Sequence, residues 1–502
     1  MSNKKIRTRI APSNTGYASI GNIRTAIFNY LFAKKHGGEF ILRIEDTDGK
    51  RSVHGSEEYI IKSLEWIGIT PDDGVNPDGT AKYRQSEKDY NKYIDILLKN
   101  GNAYYAFDSE DELETIRKKT LEKSKKPFSY NCFTRNFMKN SISLSAEDVK
   151  DRMDGGDKYV VRFNTPKNRE IKLNDLICGE TIFNTNNIDD KILLKSDGMP
   201  SYFIANTIDD IDFEITHVIK GVEWLSSFPT IALLYEALNA EIPQFAHLPL
   251  LLDKNGAKIS KRKAKEYDFP ICLLEYKDPE SNEVIPGFRE LGYEPDALLN
   301  ALSFLGWNPG TTQEIFSKEE LINAFSLERV NNSGARVGGE KLKWFNVQYL
   351  RNKNNAELYN NYIYPKLKSG HTIYSADNNL KIVDIAMERS IFAKELYDNV
   401  RYFYEPIILN ENLILKNQSE FTEVMDKFLT SILDSWIHDS IKQNLESICQ
   451  TLNIKIGKIM PDLRLALTGG MPGPDLFTIM EILGQEETFN RINNVLRVVI
   501  SV

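Results

Sequence analysis

A strand, a glycine-containing turn and a helix follow one another near the start of the chain. Residues 7–11 have the pattern of a short buried strand, and apolar residues recur at helical spacing from Ile23 to Ala33. The turn between them carries Gly16 and Gly21. Such a turn lets the backbone approach a ligand closely, and the free N–H groups at the start of a helix favour anions. The pattern predicts a parallel α/β fold with an anion site at the turn.

A second segment, more than two hundred residues later, is strongly basic. Lys258, Lys261, Arg262 and Lys263 surround Ser260 directly after the polar turn at 253–257. A loop of this charge can close on a polyphosphate when the ligand arrives. Each segment alone is weak, since strand-turn-helix units and solvated basic loops are common. Together they indicate a triphosphate site.

The rest of the chain reads as an α/β half followed by a helical half. A second strand is predicted at 39–45, a helix from Ser56, and after a charge-rich stretch a strand at 215–219, a helix at 230–238 and a strand at 245–252. This order is typical of a doubly wound parallel nucleotide-binding fold with an inserted domain, in which ligands bind beyond the carboxyl ends of the strands. Helices are predicted at 297–305, 317–325 and 340–349, and an all-α bundle or superhelix from about 370 to a last amphipathic helix.

Composition narrows the class of protein. A chain of 502 residues with 41% hydrophobic and 27% charged residues is expected to form several ordinary soluble domains. No apolar stretch is long enough to span a bilayer, so a cytoplasmic location without membrane contact is expected. The four cysteines are far apart and have no neighbouring histidine. Reduced thiols are therefore expected, with no structural zinc and no other protein-held metal.

The net charge of −8 does not exclude a nucleic-acid partner, because local potential matters more than the total charge. Residues 117–139 hold eight lysines and arginines against the single acid Glu122, interleaved with three phenylalanines and Tyr130. Cations mixed with aromatic rings suit phosphates and unstacked bases. A solvated helical face explains the same pattern, so both interpretations stay open here.

With both segments in place, the chain resembles the class I aminoacyl-tRNA synthetases. Residues 12–22 resemble their HIGH signature, and Lys258-Ile-Ser-Lys-Arg262 resembles their KMSKS signature. The surrounding sequence is similar to the glutamyl-tRNA synthetase family over essentially the whole chain, and the matching segments are 9–13, 28–30, 43–48, 83–86, 194–198, 205–206, 340–346 and 463–469.

The resemblance implies a two-step reaction. The α-carboxylate of L-glutamate attacks the α-phosphate of ATP to give glutamyl-adenylate, and a hydroxyl of the terminal adenosine of tRNA(Glu) then takes the glutamyl group. Catalysis would consist of positioning and charge stabilisation, with Mg²⁺ bridging the nucleotide. By similarity the catalytic residues are Lys258, Ser260 and Lys261, and the ATP-binding residues are Ser19, Gly21, Asn22, Trp224, Leu251, Lys258, Lys261 and Arg262. Trp224 and Leu251 would bracket the adenine, although such a pair is also common in plain cores.

For glutamate, the resemblance implies a pocket that combines cations, an acid and neutral polar groups. The matching positions are Arg9, Ala11, Ser13, Glu45, Tyr202, Asn206 and Lys220. A cation would hold the side-chain carboxylate, an acid the α-ammonium, and hydroxyl and amide groups the orientation. Glu45 could instead be an exposed acid at a strand end, but its place at the carboxyl end of a predicted parallel strand favours the site.

Two positions depart from the family pattern. Ser19 stands where the signature commonly begins with histidine, and it cannot share positive charge with a phosphate. Lys220 stands where an arginine is expected, and a lysine offers one point charge instead of two parallel donors. Both residue types prefer glutamate to glutamine, so glutamate remains the expected substrate.

The domains that follow from this resemblance are a catalytic fold in two halves, 1–86 and 193–263, an inserted acceptor-stem-binding domain at 87–192, a stem-contact helical domain at 264–335 and an α-helical anticodon-binding region at 336–502. Arg389 is the candidate for reading the last anticodon base, although an arginine on a helix surface is more often a solvated charge. A monomer is expected. The alternatives are a non-discriminating or glutaminyl-type synthetase, which would also charge tRNA(Gln), and a synthetase-like protein that binds tRNA without catalysis.

Overall fold

The computed structural model describes residues 4–278, 281–408 and 415–500. The chain divides into two compact units, Met1–Phe345 and Asn346–Val502. The strands of the first unit are β1 (Arg7–Ile10), β2 (Glu39–Leu42), β3 (Ala103–Ala106), β4 (Val160–Phe163), β5 (Glu170–Asp175), β6 (Gly179–Asn184), β7 (Ile192–Leu194), β8 (His217–Gly221), β9 (Gln244–Leu248), β10 (Leu251–Leu252), β11 (Tyr276–Lys277), β12 (Val284–Ile285) and β13 (Ala335–Arg336). Its helices are α1 (Ile20–Lys35), α2 (Ser56–Trp66), α3 (Asn91–Lys99), α4 (Glu110–Ser124), α5 (Ala146–Asp154), α6 (Tyr202–Asp212), α7 (Phe228–Ala237), α8 (Phe288–Leu291), α9 (Pro295–Ser303) and α10 (Lys318–Ala324).

Parallel strands form the centre of the first unit. β1 pairs in parallel with β2, and β8 pairs in parallel with β9. The two pairs meet where the N–H of Thr216, just before β8, donates to the carbonyl of Arg7 on β1 at 3.0 Å. Helix α1 crosses from β1 to β2 and packs against β1, β2 and β8, with Ile27 and Phe28 fully buried. The predicted parallel α/β fold is confirmed.

One strand that the sequence predicts at 245–252 is two strands in the structure. β9 ends at Leu248 and β10 begins at Leu251, with Pro249 between them. Proline has no N–H to donate to a sheet ladder. Its carbonyl is used differently, since it accepts a hydrogen bond of 2.6 Å from Nη2 of the buried Arg24 on α1. The break turns the chain from the sheet towards the basic loop.

The charge-rich stretch between α2 and α6 forms its own sheet, as an inserted segment would. β3, β4 and β7 are antiparallel in the order β3-β4-β7, with α4 and α5 between β3 and β4 in the chain. The hairpin of β5 and β6 lies elsewhere, because β5 pairs in parallel with β9 and extends the central sheet to the order β6-β5-β9-β8. The N–H of Leu176 donates to the carbonyl of Phe245 at 2.8 Å.

The second unit is helical, as the sequence predicts. Helix α11 (Gly339–Arg351) runs across the boundary between the units, and the remaining helices are α12 (Asn355–Leu358), α13 (Ala376–Met387), α14 (Leu396–Tyr404), α15 (Gln418–Leu429), α16 (His438–Thr451), α17 (Ile456–Thr468), α18 (Leu476–Leu483) and α19 (Gln485–Ile500). They pack around a continuous apolar core that includes Phe403, Phe421 and Phe428, all fully buried. The last amphipathic helix of the sequence analysis is α19.

Within the described parts of the chain, no helix has the length and apolar character that crossing a membrane requires. All four cysteines, Cys132, Cys178, Cys272 and Cys449, are free thiols.

Candidate active site

A cleft of about 310 Å³ opens at the carboxyl ends of β1 and β8, beside the start of α1. The carboxyl ends of parallel strands lie at the same edge of a sheet, so residues that are far apart in sequence meet there. Most of the residues singled out from the sequence line this cleft, namely Arg9, Ala11, Ser19, Gly21, Asn22, Glu45, Tyr202, Asn206, Lys220, Trp224, Leu251 and Lys258. Ser13, Ser260, Lys261 and Arg262 are not among its lining residues.

Arg9 is held in place by an acid that the sequence analysis did not single out. Nε and Nη2 of Arg9 donate to the two oxygens of Asp210 on α6 at 3.0 and 3.1 Å. Both side chains are almost fully buried. Although burial favours the neutral acid, the cations of Arg9 and Arg43 keep the pKa of Asp210 below its usual value. Asp210 is therefore an anion that fixes the geometry of Arg9.

Arg43 extends this network beneath the cleft. Its guanidinium is 1% exposed, donates to Asp210 at 2.7 Å, and lies 3.4 Å from Asp209 and 3.7 Å from Glu45. A signal for this network exists in the sequence. Asp209 and Asp210 share helix α6 with the buried residues Ile204, Ala205 and Ile208, and acids on a buried helical face need cationic partners.

Glu45 lies just beyond β2 with only 14% of its side chain exposed, so it is not a solvated strand-end acid. Its Oε1 accepts a hydrogen bond of 2.5 Å from Nδ2 of Asn206. Burial raises the pKa of Glu45, and the cations of Arg43 and Arg9 oppose that rise. The arrangement places one carboxylate where an ammonium group of a small ligand could be bound.

Lys220 is a buried cation without a partner. It is the fourth of the five residues of β8, is 7% exposed, and its Nζ has no hydrogen-bond partner among the described residues. The centroid of the Phe245 ring lies 5.4 Å from Nζ. Burial, together with the positive charge of Arg9, lowers the pKa of Lys220 to about 7. A buried group of this kind either loses its proton or pairs with an anion from outside the protein.

An aromatic wall closes one side of the cleft. The rings of Tyr202 and Trp224 stack with centroids 4.8 Å apart and planes 28° apart. Trp224 is 43% exposed, so it is not a core residue, whereas Leu251 on β10 is buried and still faces the cleft. A flat ring with one free face offers a stacking surface for a planar ligand group.

The basic loop and the turn before α1 lie against each other. Nζ of Lys261 donates to the carbonyl of Tyr17, and Nζ of Lys258 lies 3.3 Å from Oε1 of Glu223. Below them, the N–H of Ile259 donates to the carbonyl of Leu251 at 3.0 Å. The contact between the basic loop and the glycine-containing turn, which the sequence predicts, is confirmed. A lysine bound to a neutral carbonyl can exchange it for a phosphate oxygen, which is a stronger partner.

At the start of α1, Ser19 is occupied locally. Its hydroxyl and its N–H both donate to Oδ1 of Asn22, at 3.0 and 3.1 Å. The helix begins at Ile20, three residues earlier than expected, and the N–H of Ile20 donates to the carbonyl of Ile271 at 2.8 Å. A methyl group added to Gly21 would have only Ser19 Oγ within 4 Å among the described residues, at 3.6 Å. The glycine leaves space that these residues do not fill.

Ser13 and Arg389, like Ser260, Lys261 and Arg262, are not among the residues that line this cleft. The hydroxyl of Ser13 is 2.9 Å from that of Thr15. Arg389 belongs to the helical unit, where its Nη2 donates to the carbonyl of Gly473 at 3.1 Å. Arg464, which the sequence analysis did not single out, donates to the neighbouring carbonyl of Pro474 at 2.8 Å. The two arginines thus bind the same glycine- and proline-rich turn.

Comparison with protein families agrees with this geometry. Residues 5–344 match the family of class I tRNA synthetases (E and Q), catalytic domain. Residues 354–496 match an anticodon binding domain. The two matched regions correspond closely to the two compact units, whose boundary falls between Phe345 and Asn346.

Relatives match over nearly the full length. A glutamate--tRNA ligase of Christiangramia forsetii is 44% identical over 500 residues, which cover 97% of this chain and 98% of the relative. One from Amoebophilus asiaticus is 43% identical, and the match covers 99% of both chains. A crystal structure of a glutamate tRNA ligase from Elizabethkingia meningosepticum, in complex with its amino acid, is 41% identical with a TM-score of 0.89, over 98% of this chain and 99% of that one. The chain belongs to the class I aminoacyl-tRNA synthetases, in the branch whose catalytic domain is shared by the glutamate and glutamine enzymes.

Proposed function

We propose that this protein is a glutamate–tRNA ligase, which activates L-glutamate with ATP and transfers it to the 3′ end of tRNA(Glu). The observation that carries the choice of glutamate is the buried, unpartnered Nζ of Lys220 in a cleft that also contains Glu45. A cation at one end and a carboxylate at the other match the side-chain carboxylate and the α-ammonium of glutamate. The full-length similarity to glutamate--tRNA ligases supports the same assignment.

In this proposal the glutamate-binding residues act by position. Lys220 binds the side-chain carboxylate, with Arg9 beside it and fixed by Asp210. Glu45 binds the α-ammonium while Asn206 holds its carboxylate in place. Tyr202 packs against the substrate from the aromatic wall, and Ala11 lines the same cleft. Ser13 is assigned to this site only by its place in the sequence beside Ala11. The α-carboxylate is then left free to face the nucleotide.

ATP is proposed to lie between the start of α1 and the basic loop. Asn22, Ser19 and the open space at Gly21 receive the phosphates, and the adenine contacts Trp224 and Leu251. When an oxygen of the glutamate α-carboxylate attacks the α-phosphorus, the bond to the β-phosphate oxygen breaks and pyrophosphate leaves. Lys258, Lys261 and Arg262 supply positive charge for the oxygens that become more negative, and Ser260 supports the loop.

Mg²⁺ is expected to arrive with the nucleotide. Among the residues that the structure describes, no group of three or more His, Cys, Asp and Glu side chains is placed to hold a metal ion. An ion bridging the phosphates of ATP would take most of its oxygen ligands from the nucleotide and from water.

The tRNA is proposed to contact the inserted segment and the helical unit. Lys118, Lys119, Lys123, Lys125 and Lys126 are exposed on and after α4, and Phe137 is 90% exposed nearby. Such a surface suits the backbone and unstacked bases of an acceptor end. We assign 87–192 to acceptor-stem binding, 264–335 to further stem contacts and 336–502 to the anticodon, with Arg389 and the adjacent Arg464 as candidate base-reading residues. The protein is proposed to act as a monomer.

One experiment tests the function. ATP–pyrophosphate exchange is measured with glutamate or glutamine, each with and without tRNA(Glu), because activation in this family often waits for tRNA. Exchange with glutamate that exceeds exchange with glutamine supports the proposal. Equal use of the two amino acids, together with charging of tRNA(Gln), would indicate the non-discriminating or glutaminyl-type alternative. No exchange with either amino acid in the presence of tRNA would indicate a tRNA-binding protein without catalysis.

A further inference from the structure

Lys220 differs from an arginine in a property that bears on substrate choice. An arginine stays charged in proteins, whereas a buried lysine can lose its proton. We propose that the protonation state of Lys220 sets the amino-acid specificity, so that its ammonium form selects glutamate and its neutral amine form accepts glutamine. This inference rests on the proposed function. It adds that the choice between glutamate and glutamine at this site depends on whether the Lys220 amine is protonated.

The geometry around Nζ supports it. Lys220 is 7% exposed, its Nζ has no hydrogen-bond partner among the described residues, and one side faces the ring of Phe245 at 5.4 Å. A charged ammonium group in such a place lacks both water and a carboxylate partner. Its free energy therefore depends on what the cleft contains.

The charged groups that surround Lys220 are each hydrogen-bonded or ion-paired with a residue other than Lys220. Arg9 on β1 is paired with Asp210 on α6, and Glu45 beyond β2 accepts from Asn206. On the other side, Nδ1 of His247 on β9 lies 2.6 Å from Asp175 on β5, which also accepts from the N–H groups of Ile177 and Cys178. At the mouth, Glu223 lies against Lys258. These three anions near Lys220, namely Asp210, Glu45 and Asp175, raise its pKa, but burial and Arg9 outweigh them.

The chemistry of the two substrates then differs with the proton. A glutamate carboxylate offers only acceptors, so it pairs with the ammonium form and draws a proton onto the amine if none is present. A glutamine amide offers one acceptor and two donors. A neutral amine can donate to the amide oxygen and accept from the amide nitrogen, which leaves no unpaired charge in the pocket. An arginine at this position has no neutral form to offer.

The consequence is a dependence on pH with a defined sign. In the free protein the pKa of Lys220 is lowered to about 7, so the ammonium form declines as the pH rises through that value. Glutamate binding requires that form and glutamine binding requires its conjugate. The ratio of their kcat/KM values should therefore fall about tenfold for each pH unit, or about 100-fold from about pH 6.5 to about pH 8.5.

The test measures that ratio in ATP–pyrophosphate exchange with tRNA(Glu) present, for the full-length protein and for Lys220→Arg. Because both amino acids are assayed under the same conditions, other pH effects on the reaction cancel in the ratio. We expect a fall of about 100-fold for the natural chain and less than about threefold for Lys220→Arg. A constant ratio in the natural chain, or glutamine that is never used at any pH, overturns the inference while glutamate activation keeps the proposed function.

A second measurement does not depend on the variant folding or on turnover. Calorimetric titration of the natural protein with glutamate in two buffers of different ionisation enthalpy counts the protons taken up on binding. We expect uptake of about one proton at about pH 8.5 and much less at about pH 6. Absence of uptake at the higher pH contradicts the inference. Absence of glutamate binding and exchange at every pH contradicts the proposed function instead.

Discussion

Asp210 accepts two hydrogen bonds from Arg9, at 3.0 and 3.1 Å, and also accepts one from Arg43 at 2.7 Å. One carboxylate thus orients two buried guanidinium groups behind the cleft. Arg9 is occupied in this way, whereas Nζ of Lys220 lines the same cleft without a hydrogen-bond partner among the described residues. The pairing of Arg9 with Asp210 thus leaves Lys220, of these two cations, available to a ligand.

Replacing Asp210 by asparagine should destabilise the protein. Arg9 and Arg43 would be left buried without their shared anion, a loss on the order of 3 kcal/mol in the free energy of unfolding, measurable by urea denaturation. The control is Asp212→Asn at the end of the same helix, whose partner Lys88 lies 2.7 Å away at a partly exposed site and whose loss should cost less than about 1 kcal/mol. Equal effects of the two substitutions would show that Asp210 has no special role.

The same pair predicts how stability responds to acid. The pKa of Asp210 is depressed by Arg9 and Arg43, so its contribution is present above the unfolded value of about 4 and is lost as the pH falls through the folded value. Below about pH 5, where Lys220 stays fully charged, the difference in unfolding free energy between the natural chain and Asp210→Asn should shrink as the pH falls. A difference that stays constant or grows as the pH falls through this acidic range would contradict this account.

Lys261→Ala should lower ATP–pyrophosphate exchange by about 10² to 10³-fold, because a cation that stabilises charge on the departing phosphates is lost. Its amine donates to the neutral carbonyl of Tyr17, so folding should be little affected. Lys265→Ala is the matched control on the same loop, since that exposed lysine pairs with Glu283 at 2.6 Å. If both variants keep the natural exchange rate, the catalytic assignment of Lys261 is wrong.

Ser19→His should change the exchange rate by no more than about threefold, because the hydroxyl of Ser19 is bound to Asn22 and the basic loop supplies the main phosphate charge. The measurement is the KM for ATP together with kcat. A gain of several orders of magnitude would mean that the serine cripples an ATP contact and that the loop does not compensate for it.

Trp224→Ala should raise the KM for ATP by about tenfold if its exposed ring contacts adenine, and the KM for glutamate should change less. Trp224→Phe keeps an aromatic face and the stack on Tyr202, which is 4.8 Å away, and should restore most of the ATP affinity. A change confined to the KM for glutamate would place the ring at the amino acid instead.

Local patterns, most of the cleft and the meeting of the turn with the basic loop could be predicted from the sequence, but the other contacts between distant segments could not. The strand, turn and helix around Gly21 are local, and their order was enough to predict a parallel fold. The start of α1 was missed because the N–H of Ile20 bonds to Ile271, which is 251 residues further along the chain. The role of Asp210 was missed for the same reason, since its partners Arg9 and Arg43 lie on other elements.

The environment of Lys220 could not be predicted from residue types alone. Its position and its departure from arginine could be read from the sequence, and so could the need for a cation. Its lack of a partner depends on Asp210, Glu45 and Asp175 each being bonded to another residue, which is a property of the assembled site. Whether a lysine is charged in a fold is decided by neighbours that the sequence places far away.

The strand β5 gives the inserted segment a structural role in the central sheet. It comes from the stretch expected to bind the acceptor stem, yet it completes the sheet that carries Lys220, and its Asp175 is bonded to His247 inside that sheet. Removing the whole segment would also remove β5 and β6 from the sheet that carries Lys220. The segment proposed to bind the acceptor stem and the proposed amino-acid pocket thus share one sheet, although they are separate in the sequence.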